Sequence, residues 1–529
     1  MYKVLKKTRV VVSLFFLVVI TAAFMHFINS ETSLFSQFLK LQFVPSLLGI
    51  FTGGAVVFGL LLLLTLFFGR VYCSALCPLG VFQDISTRVA NLFKTKKQKR
   101  FSYDKPKKSR YIILGIIGLF FIGGITLPLA YLDPYSLWGR ISNEIINRSY
   151  QLIQNGISYF FPDSIFYITL AHFAVGSFIF VFSLLVIIVL FSAFRGRLYC
   201  NTICPVGSFL GIISKFSAFQ PVINKKTCTK CQLCVISCKS QCIDIKTQTV
   251  DTSRCVACMN CFAVCKNNSM TYSFTWKKNR ESIDNKILPG QVKSLISKDN
   301  RATTQDTNIV SQDRRKVLIA MGLMGTALVT KAIKIGPAFS AKPKITGIAP
   351  PGAVSVEHLK QNCTACHACI AACPNNIIKP ATLEYGIDGV LLPVLSFDHL
   401  FCSYECNECS KVCPNNAILP ITLEEKKLTQ VGKVHFFPKR CIVYTDGTAC
   451  GACGEHCPTK AIKMIPFGDK GLYLPSVKSA LCVGCGGCEY ICPALPDKAM
   501  IVYALDVQGT AKKPPLEKQE KIKVDSFGF

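Results

Sequence analysis

Acidic residues are scarce in this chain: 30 Asp and Glu stand against 60 Lys and Arg in 529 residues, for a net charge of +30. A Walker-type phosphate loop, a flavin or dinucleotide fingerprint and a catalytic triad are all missing, so no motif performs bond chemistry. The glycine-rich "CVGCGGC" at 482–488 has the geometry of a ligand loop, not of a phosphate loop. Also missing is the even cysteine density of a secreted disulfide scaffold, which is short and Cys-rich throughout. The 29 cysteines here fall instead mainly in tight groups of four. Nor is the positive charge spread as in a nucleic-acid binder. Its densest cluster, "KTKKQKR" with "KPKKSR" at 94–110, lies between two apolar segments, where the positive-inside rule places charge.

Half of the residues are hydrophobic. Four apolar runs, roughly 10–28, 47–68, 111–131 and 167–194, are each long enough to span a ~30 Å hydrocarbon core at about 20 residues. Lys3, Lys6, Lys7 and Arg9 precede the first, and Arg195 and Arg197 follow the fourth. The charges between the third and fourth, Asp133, Arg140, Glu144, Arg148 and Asp163, nearly cancel. The N-terminus and the 70–110 loop are therefore expected to be cytoplasmic, and 132–166 outside. No small-residue cleavage site follows the first run, so a cleaved signal peptide is not expected.

Two of these runs end in the same phrase, "GRVYCSALCPLGVF" at 69–82 and "GRLYCNTICPVGSF" at 196–209. The runs thus read as two copies of one hairpin. Cys73 and Cys77, and likewise Cys200 and Cys204, are spaced i, i+4; on a continuous helix each pair projects from one face. Brought together by the repeat, the four thiolates suffice for one iron–sulfur cluster. Structural thiols, a redox-active thiol pair and a copper site are the other readings.

After the fourth run, "CTKCQLCVISCKSQC" at 228–242 and "CVACMNCFAVC" at 255–265 both contain C-x2-C-x2-C-x3-C, the run of two-cluster bacterial ferredoxins. In that pattern the fourth cysteine ligates the other cluster. Cys228, Cys231, Cys234 and Cys265 are expected to hold one [4Fe–4S] cluster, and Cys255, Cys258, Cys261 and Cys238 a second. Zinc sites more often pair separated C-x2-C units. Lys239 and Lys266 stand where proline often follows the last cysteine. Cys242 is unassigned and is an alternative to Cys238, although spacing favours the latter.

Residues 276–312 are polar and aperiodic, as in a linker. Then "QDRRKVLIAMGLMGTALVTKAIKI" sets Arg314 and Arg315 before an apolar core of about 14 residues, short for a span and right for a signal. It resembles a twin-arginine export signal, a route open to proteins already folded around cofactors. "AFSAK" at 338–342 is a poor cleavage site, which favours retention as a fifth anchor. Four more quartets follow: Cys363, Cys366, Cys369 and Cys373; Cys402, Cys406, Cys409 and Cys413; Cys441, Cys450, Cys453 and Cys457; Cys482, Cys485, Cys488 and Cys492. "CPNNIIKPATL" and "CPNNAILPITL" mark the first two as duplicates. Four [4Fe–4S] clusters are expected here, each in a small unit stapled by metal.

Taken with these motifs, residues 1–270 resemble the membrane ferredoxin-type (NapH-like) protein of periplasmic nitrate reductase systems. Residues 313–505 look like its usual partner, a Tat-exported four-cluster (NapG-like) ferredoxin, so the chain reads as a fusion. The first half is also similar to the membrane part of the nitrous-oxide reductase regulator and to the cytochrome oxidase assembly ferredoxin. The resemblance implies quinol oxidation and electron delivery to a periplasmic reductase or cytochrome. It also implies that fourth ligands are exchanged in nested fashion, between the outer quartets and between the inner quartets of the second block. His26 and His172 are then candidates for a quinol proton acceptor, or else interfacial polar anchors; haem ligation by the two is a further reading.

The expected architecture is an α-helical membrane domain of four helices plus a fifth anchor, with two α+β ferredoxin-like polyferredoxin domains. Its boundaries are 1–220 for the membrane domain, 221–275 for a cytoplasmic two-cluster domain and 276–312 for the linker. The twin-arginine segment is 313–340, the exported four-cluster domain 341–510 and the basic tail 511–529. The expected setting is a bacterial inner membrane with ferredoxin domains on both sides, six [4Fe–4S] clusters and a seventh at the membrane, and the quinone pool as donor. On this reading the chain is a component of a quinol dehydrogenase and not a stand-alone catalyst. The second class of function is an assembly factor for a periplasmic or membrane metalloenzyme, working through the membrane cysteines.

Overall fold

Apolar runs in this chain become helix, and two of them are broken where glycines cluster or adopt a positive φ. The computed structural model describes residues 2–25, 33–50, 53–95, 101–161, 175–276, 347–468 and 471–513. Helix α1 (Tyr2–Met25) has no glycine or proline and runs for 24 residues. The run at 47–68 is split: a short helix Phe43–Leu48 ends at Gly49, and α2 (Gly54–Phe68) begins only after Gly53, whose φ is +96°. A Cβ on Gly54 would stand 2.6 Å from the Ser46 carbonyl oxygen, so the break is closed by glycine contact. Helix α3 (Pro78–Leu92) follows the first copy of the phrase. Helix α4 (Ser109–Ile122) stops at Gly123, ahead of Gly124 at φ +79°. That splits the run at 111–131 as well.

Helix α5 (Pro134–Ile141) starts at an N-cap, Asp133, whose carboxylate accepts from Ser136 N at 2.9 Å. A π-helical stretch, Ser142–Asn147, leads into α6 (Arg148–Phe160). The last two helices of this region are α7 (Val175–Arg195) and α8 (Pro205–Ser214). By length and composition α1 and α7 can cross a membrane. At 15 and 14 residues, α2 and α4 fall short of the ~20 that a full span needs.

The first cysteine block pairs β1 (Phe219–Ile223) with β4 (Met270–Phe274), antiparallel, and places a minimal hairpin, β2 (Ile243–Asp244) and β3 (Thr249–Val250), between them. In the second block β5 (Ile378–Pro380) pairs with β6 (Pro393–Leu395), and β7 (Thr429–Phe436) with β10 (Met500–Thr510). A third pair there is β8 (Ile462–Phe467) and β9 (Leu472–Val477). Residues 1–275 and 346–529 group as one unit and 276–345 as another. Apart from Trp276, the expected linker lies outside the described residues, as do the twin-arginine segment, His26, His172 and most of the basic tail.

The two blocks cap opposite ends of α1. Tyr2 stacks on Phe262 of the first block, ring centroids 4.8 Å apart. Near the other end Phe24 meets Tyr135 of α5 at 5.2 Å. There Gly139 lies against the Cys366 carbonyl, which a Cβ would approach to 2.4 Å. Thr126 also donates to Lys360 O of the second block at 2.8 Å. From Tyr2 to Phe24 the helix rises about 33 Å at 1.5 Å per residue.

Candidate metal centres

Each residue type of the repeated phrase has a place that its chemistry explains. Gly69 and Gly196 adopt φ of +68° and +64°, turning the chain out of α2 and α7. Tyr72 and Tyr199 tie each copy to the segment before its own apolar helix. The Tyr72 hydroxyl donates to Gln42 Oε1 at 3.0 Å, and that of Tyr199 to Leu132 O at 2.7 Å. Pro78 and Pro205 open the next helices. Because a residue before proline is excluded from the α region, Cys77 and Cys204 are extended, with ψ of 114° and 119°. The expected continuous helix through each cysteine pair is therefore corrected: the pair is carried by the turn between two helices. Gly80 and Gly207 touch the Cys73 and Cys200 carbonyls so closely that a Cβ would lie 2.4 Å away in both.

The two copies are interlocked. Arg70 of the first donates to Gly207 O of the second at 2.7 Å, and Arg197 of the second donates to Cys73 O of the first. Helix α3 packs on α7 and α8 on α2, so each phrase rests its following helix on the other copy's apolar helix. This gathers Cys73, Cys77, Cys200 and Cys204 into one buried core. Cys204 lies in the field of all three others. Cys258 of the first block and Cys366 of the second belong to the same core.

In the first block Cys228, Cys231, Cys234 and Cys265 line one cavity, of about 170 Å³. Cys238, Cys255, Cys258 and Cys261 line another, together with Cys242. The second block groups its sulfurs by consecutive quartets. Cys369 lies in the field of Cys363, Cys366 and Cys413, and Cys409 in that of Cys402, Cys406 and Cys373. Cys453 sees Cys441, Cys450 and Cys492, and Cys488 sees Cys482, Cys485 and Cys457. This grouping differs from the nested exchange implied by the resemblance. Short hairpins such as β5–β6 return the chain to its neighbour, so Cys413 lies near the first quartet and Cys373 near the second, and Cys492 near the third and Cys457 near the fourth. The two pairs abut where Cys402 N donates to Cys485 O at 2.8 Å.

Four C-x2-C loops share one backbone form. The residue two after the first cysteine and the residue one after the second are both left-handed: Lys230 and Gln232, Ala257 and Met259, Ala365 and His367, Gly484 and Gly486. Alternation of this kind turns successive N–H groups into an anion-binding concavity of the type found at iron–sulfur sites. It explains two of the three glycines of "CVGCGGC", Gly484 and Gly486, which stand at the strained positions. Among the described residues no three His, Cys, Asp or Glu side chains converge as for a single ion. Zinc would need its sulfurs about 2.3 Å from one point, whereas a cluster holds its thiolates apart.

Cys242 is buried with Sγ 3.6 Å from Cys238 Sγ. The contact raises the Cys242 thiol and lowers that of Cys238 to about 7; Cys255 is lowered by Cys242 in the same way. Cys242 thus lies against both Cys238 and Cys255. Cys242→Ser should keep the full iron content, while Cys238→Ser should lose one cluster's worth; anaerobic metal analysis of both variants decides between them as ligand.

Reading the sequence for cysteines passed over the charges between the groups. Arg70, Arg110, Arg140 and Arg197 are among the largest fully buried side chains. Asp84, also buried, meets Arg197 at 3.0 Å, Lys239 at 3.3 Å and Arg9 at 3.7 Å. Glu144 is buried beside His367 of the second block. The signal for Arg70 and Arg197 was present, as both belong to the repeated phrase.

Comparison with known proteins fits this arrangement. A 4Fe-4S binding domain model matches 50–100 and 177–225, once over each copy of the phrase. Models for 4Fe-4S dicluster domains match 362–418 and 448–495, which are the two consecutive pairs. The ferredoxin-type protein NapF of Escherichia coli is 33% identical over 159 residues, 30% of this chain and 87% of that protein. The chain belongs to the ferredoxin-type Nap proteins. NapG of E. coli matches this Nap-type chain at 30% identity over 150 residues, 27% of the chain and 64% of NapG. NapH matches at 26% over 223 residues, 40% of the chain and 65% of NapH. The Nap-type chain therefore spans about two thirds of each of these two. No solved structure matches it. It is an iron–sulfur electron-transfer protein with 4Fe-4S domains.

Proposed function

We propose that this ferredoxin-type protein carries electrons across a bacterial inner membrane, from quinol to a periplasmic reductase. One observation carries the reading: the cysteine groups form an unbroken succession. It starts at the exposed Cys231, passes through Cys258, the membrane quartet and Cys366, and continues across the Cys402–Cys485 contact to Cys450. Six ferredoxin-type [4Fe–4S] clusters, in the groupings described above, and a seventh cluster on Cys73, Cys77, Cys200 and Cys204 would supply one-electron carriers along it. The four helical hairpin segments form the membrane domain, with ferredoxin folds at either end. The first block is cytoplasmic and the second is exported through the twin-arginine segment. The lysine-rich 94–110 loop and the placement of the blocks at opposite ends of α1 support this sidedness. A metalloenzyme assembly factor has no need of so long a succession.

Quinol yields two protons with its two electrons as it becomes quinone, so a proton acceptor must lie near the carrier that receives them, which here is the quartet around Cys369, between the two ends of the succession. Glu144 meets that need. Burial raises its carboxyl, Arg148 Nε stands at 3.4 Å, and it lines a cavity with Asn143, Asn147, Gln151 and Ile370, the residue after Cys369. Helix α6, beside it, exposes Leu152, Ile153, Ile157 and Phe160, an apolar face for the membrane surface. Anaerobic addition of a reduced menaquinone analogue should reduce at least one cluster in membranes holding the protein. Glu144→Gln should slow that reduction at least tenfold and leave reduction by dithionite unchanged. No spectral change in the wild type, with all clusters present, would turn the reading toward the assembly factor.

A further inference from the structure

The surroundings of the membrane quartet hold more positive charge than the protein neutralises. Arg70 is fully buried, yet its partners are all neutral: Gly207 O, Asn201 Oδ1 at 2.7 Å, Arg254 O and, at 3.4 Å, Cys255 O. Arg197, Arg9 and Lys239 share one carboxylate, Asp84. Three buried cations and the half-buried Arg9 therefore face one buried anion, Asp84, among the described residues. Three of the four reach the repeated phrase itself: Arg9 donates to Ser74 O at 2.8 Å, Arg197 to Cys73 O and Arg70 to Gly207 O. Lys239 follows Cys238, and its Nζ has no hydrogen-bond partner. Burying an unpaired cation costs several kcal/mol, so a charge of this size needs a counter-ion within the same core. Arg88 adds to the positive charge, and Arg254 beside Arg70 is paired with Asp251; among the described residues Cys73 and Cys200 lie in the field of Arg70 and Arg197, and Cys258 of the first block in that of Arg9 and Lys239.

We infer that Arg70 and Arg197, which reach Gly207 O and Cys73 O, are the built-in counter-charge of an anionic cluster on Cys73, Cys77, Cys200 and Cys204, and that they hold its reduction potential up. The inference rests on the reading that these cysteines bind a cluster. Inert thiols or a disulfide are neutral and would leave the cations uncompensated. An iron centre held by four thiolates is negative and becomes more so on reduction, and charge around it is one of the terms that set its potential. Nearby cations favour the reduced form, so removing one must lower the midpoint. The duplication supports this role, since Arg70 and Arg197 are equivalent residues of the two copies and each crosses to the other.

The test is a redox titration of the full chain in lipid nanodiscs, followed by electron paramagnetic resonance. The quartet's signal is identified as the one lost in the variant with all four cysteines changed to Ser. Arg197→Gln and Arg70→Gln are each expected to lower that signal's midpoint by at least tenfold in the reduction equilibrium, about 59 mV for one electron. Arg197→Lys should retain most of the wild-type value. If Arg197→Gln does not assemble, Arg70→Gln in the other copy still reads the effect. An unmoved midpoint in Arg70→Gln, or a shift confined to signals of the ferredoxin blocks, overturns the inference while leaving the cluster in place. No signal lost in the four-cysteine variant overturns the underlying reading instead.

Discussion

Changing Cys73, Cys77, Cys200 and Cys204 together to Ser should stop electron passage between the two ferredoxin blocks. The variant should lose one cluster's worth of iron and keep the signals of both blocks. The reason is distance. The blocks meet α1 at Tyr2 and at Phe24, about 33 Å apart along the helix. Electron tunnelling falls off exponentially with separation, so a single step over that span is negligible beside two steps of half the length. The quartet is placed to divide it, sharing a core with Cys258 on one side and Cys366 on the other. The measurement is stopped-flow reduction of the second block by a donor restricted to the first. Unchanged iron and an unchanged rate would make these cysteines structural.

The second large effect concerns metal removal. Stripping iron should unfold residues 221–275 while α1 and α7 stay helical. The core of this block has ten buried residues, and three of them are Cys234, Cys238 and Cys242. Its sheets have two strands each, and isolated pairs of strands are marginal in water. Lys230, Gln232, Ala257 and Met259 are held left-handed, at about 1 kcal/mol or more apiece. Against these terms stand a small apolar core and a few contacts to the helices, such as Tyr2 on Phe262, so the ligand is expected to supply the balance. Hydrogen exchange should show β1 and β4 losing nearly all protection after chelation and recovering it on reconstitution. Retained protection in the iron-free protein would show a self-sufficient fold.

What could be read from the residues and what could not divide by range. Quartet spacing is local chemistry: a C-x2-C-x2-C loop is written within seven residues, and its left-handed positions follow from it. The partner of the fourth cysteine is a matter of tertiary return. For that reason the placing of Cys413 near the first quartet and of Cys373 near the second was legible only in the fold. Proline signalled the helix break at Cys77, but a spacing of i, i+4 outweighed it in the reading. Arg195 and Arg197 looked alike as charges flanking an apolar run. Folding sends Arg195 to the surface, 3.7 Å from Asp104, and Arg197 into the core beside Asp84. The apolar runs foretold helices, and the glycines at 49, 53, 123 and 124 shortened two of them.

The crossing of Arg70 and Arg197 has a consequence for how such a chain can arise. An interface in which residue i of one copy meets residue j of the other, and j meets i, is isologous, the signature of a two-fold pair. A chain with a single copy of the phrase would have two of the four cysteines and an arginine aimed at a carbonyl it does not own. It can bring four such cysteines together only by pairing with itself, about a two-fold axis. Fusion of two such copies frees each to diverge. The copies have used that freedom unequally: Arg70 is received by Asn201, where the first copy has Ser74, and Arg197 by Asp84, where the second copy has Gly211.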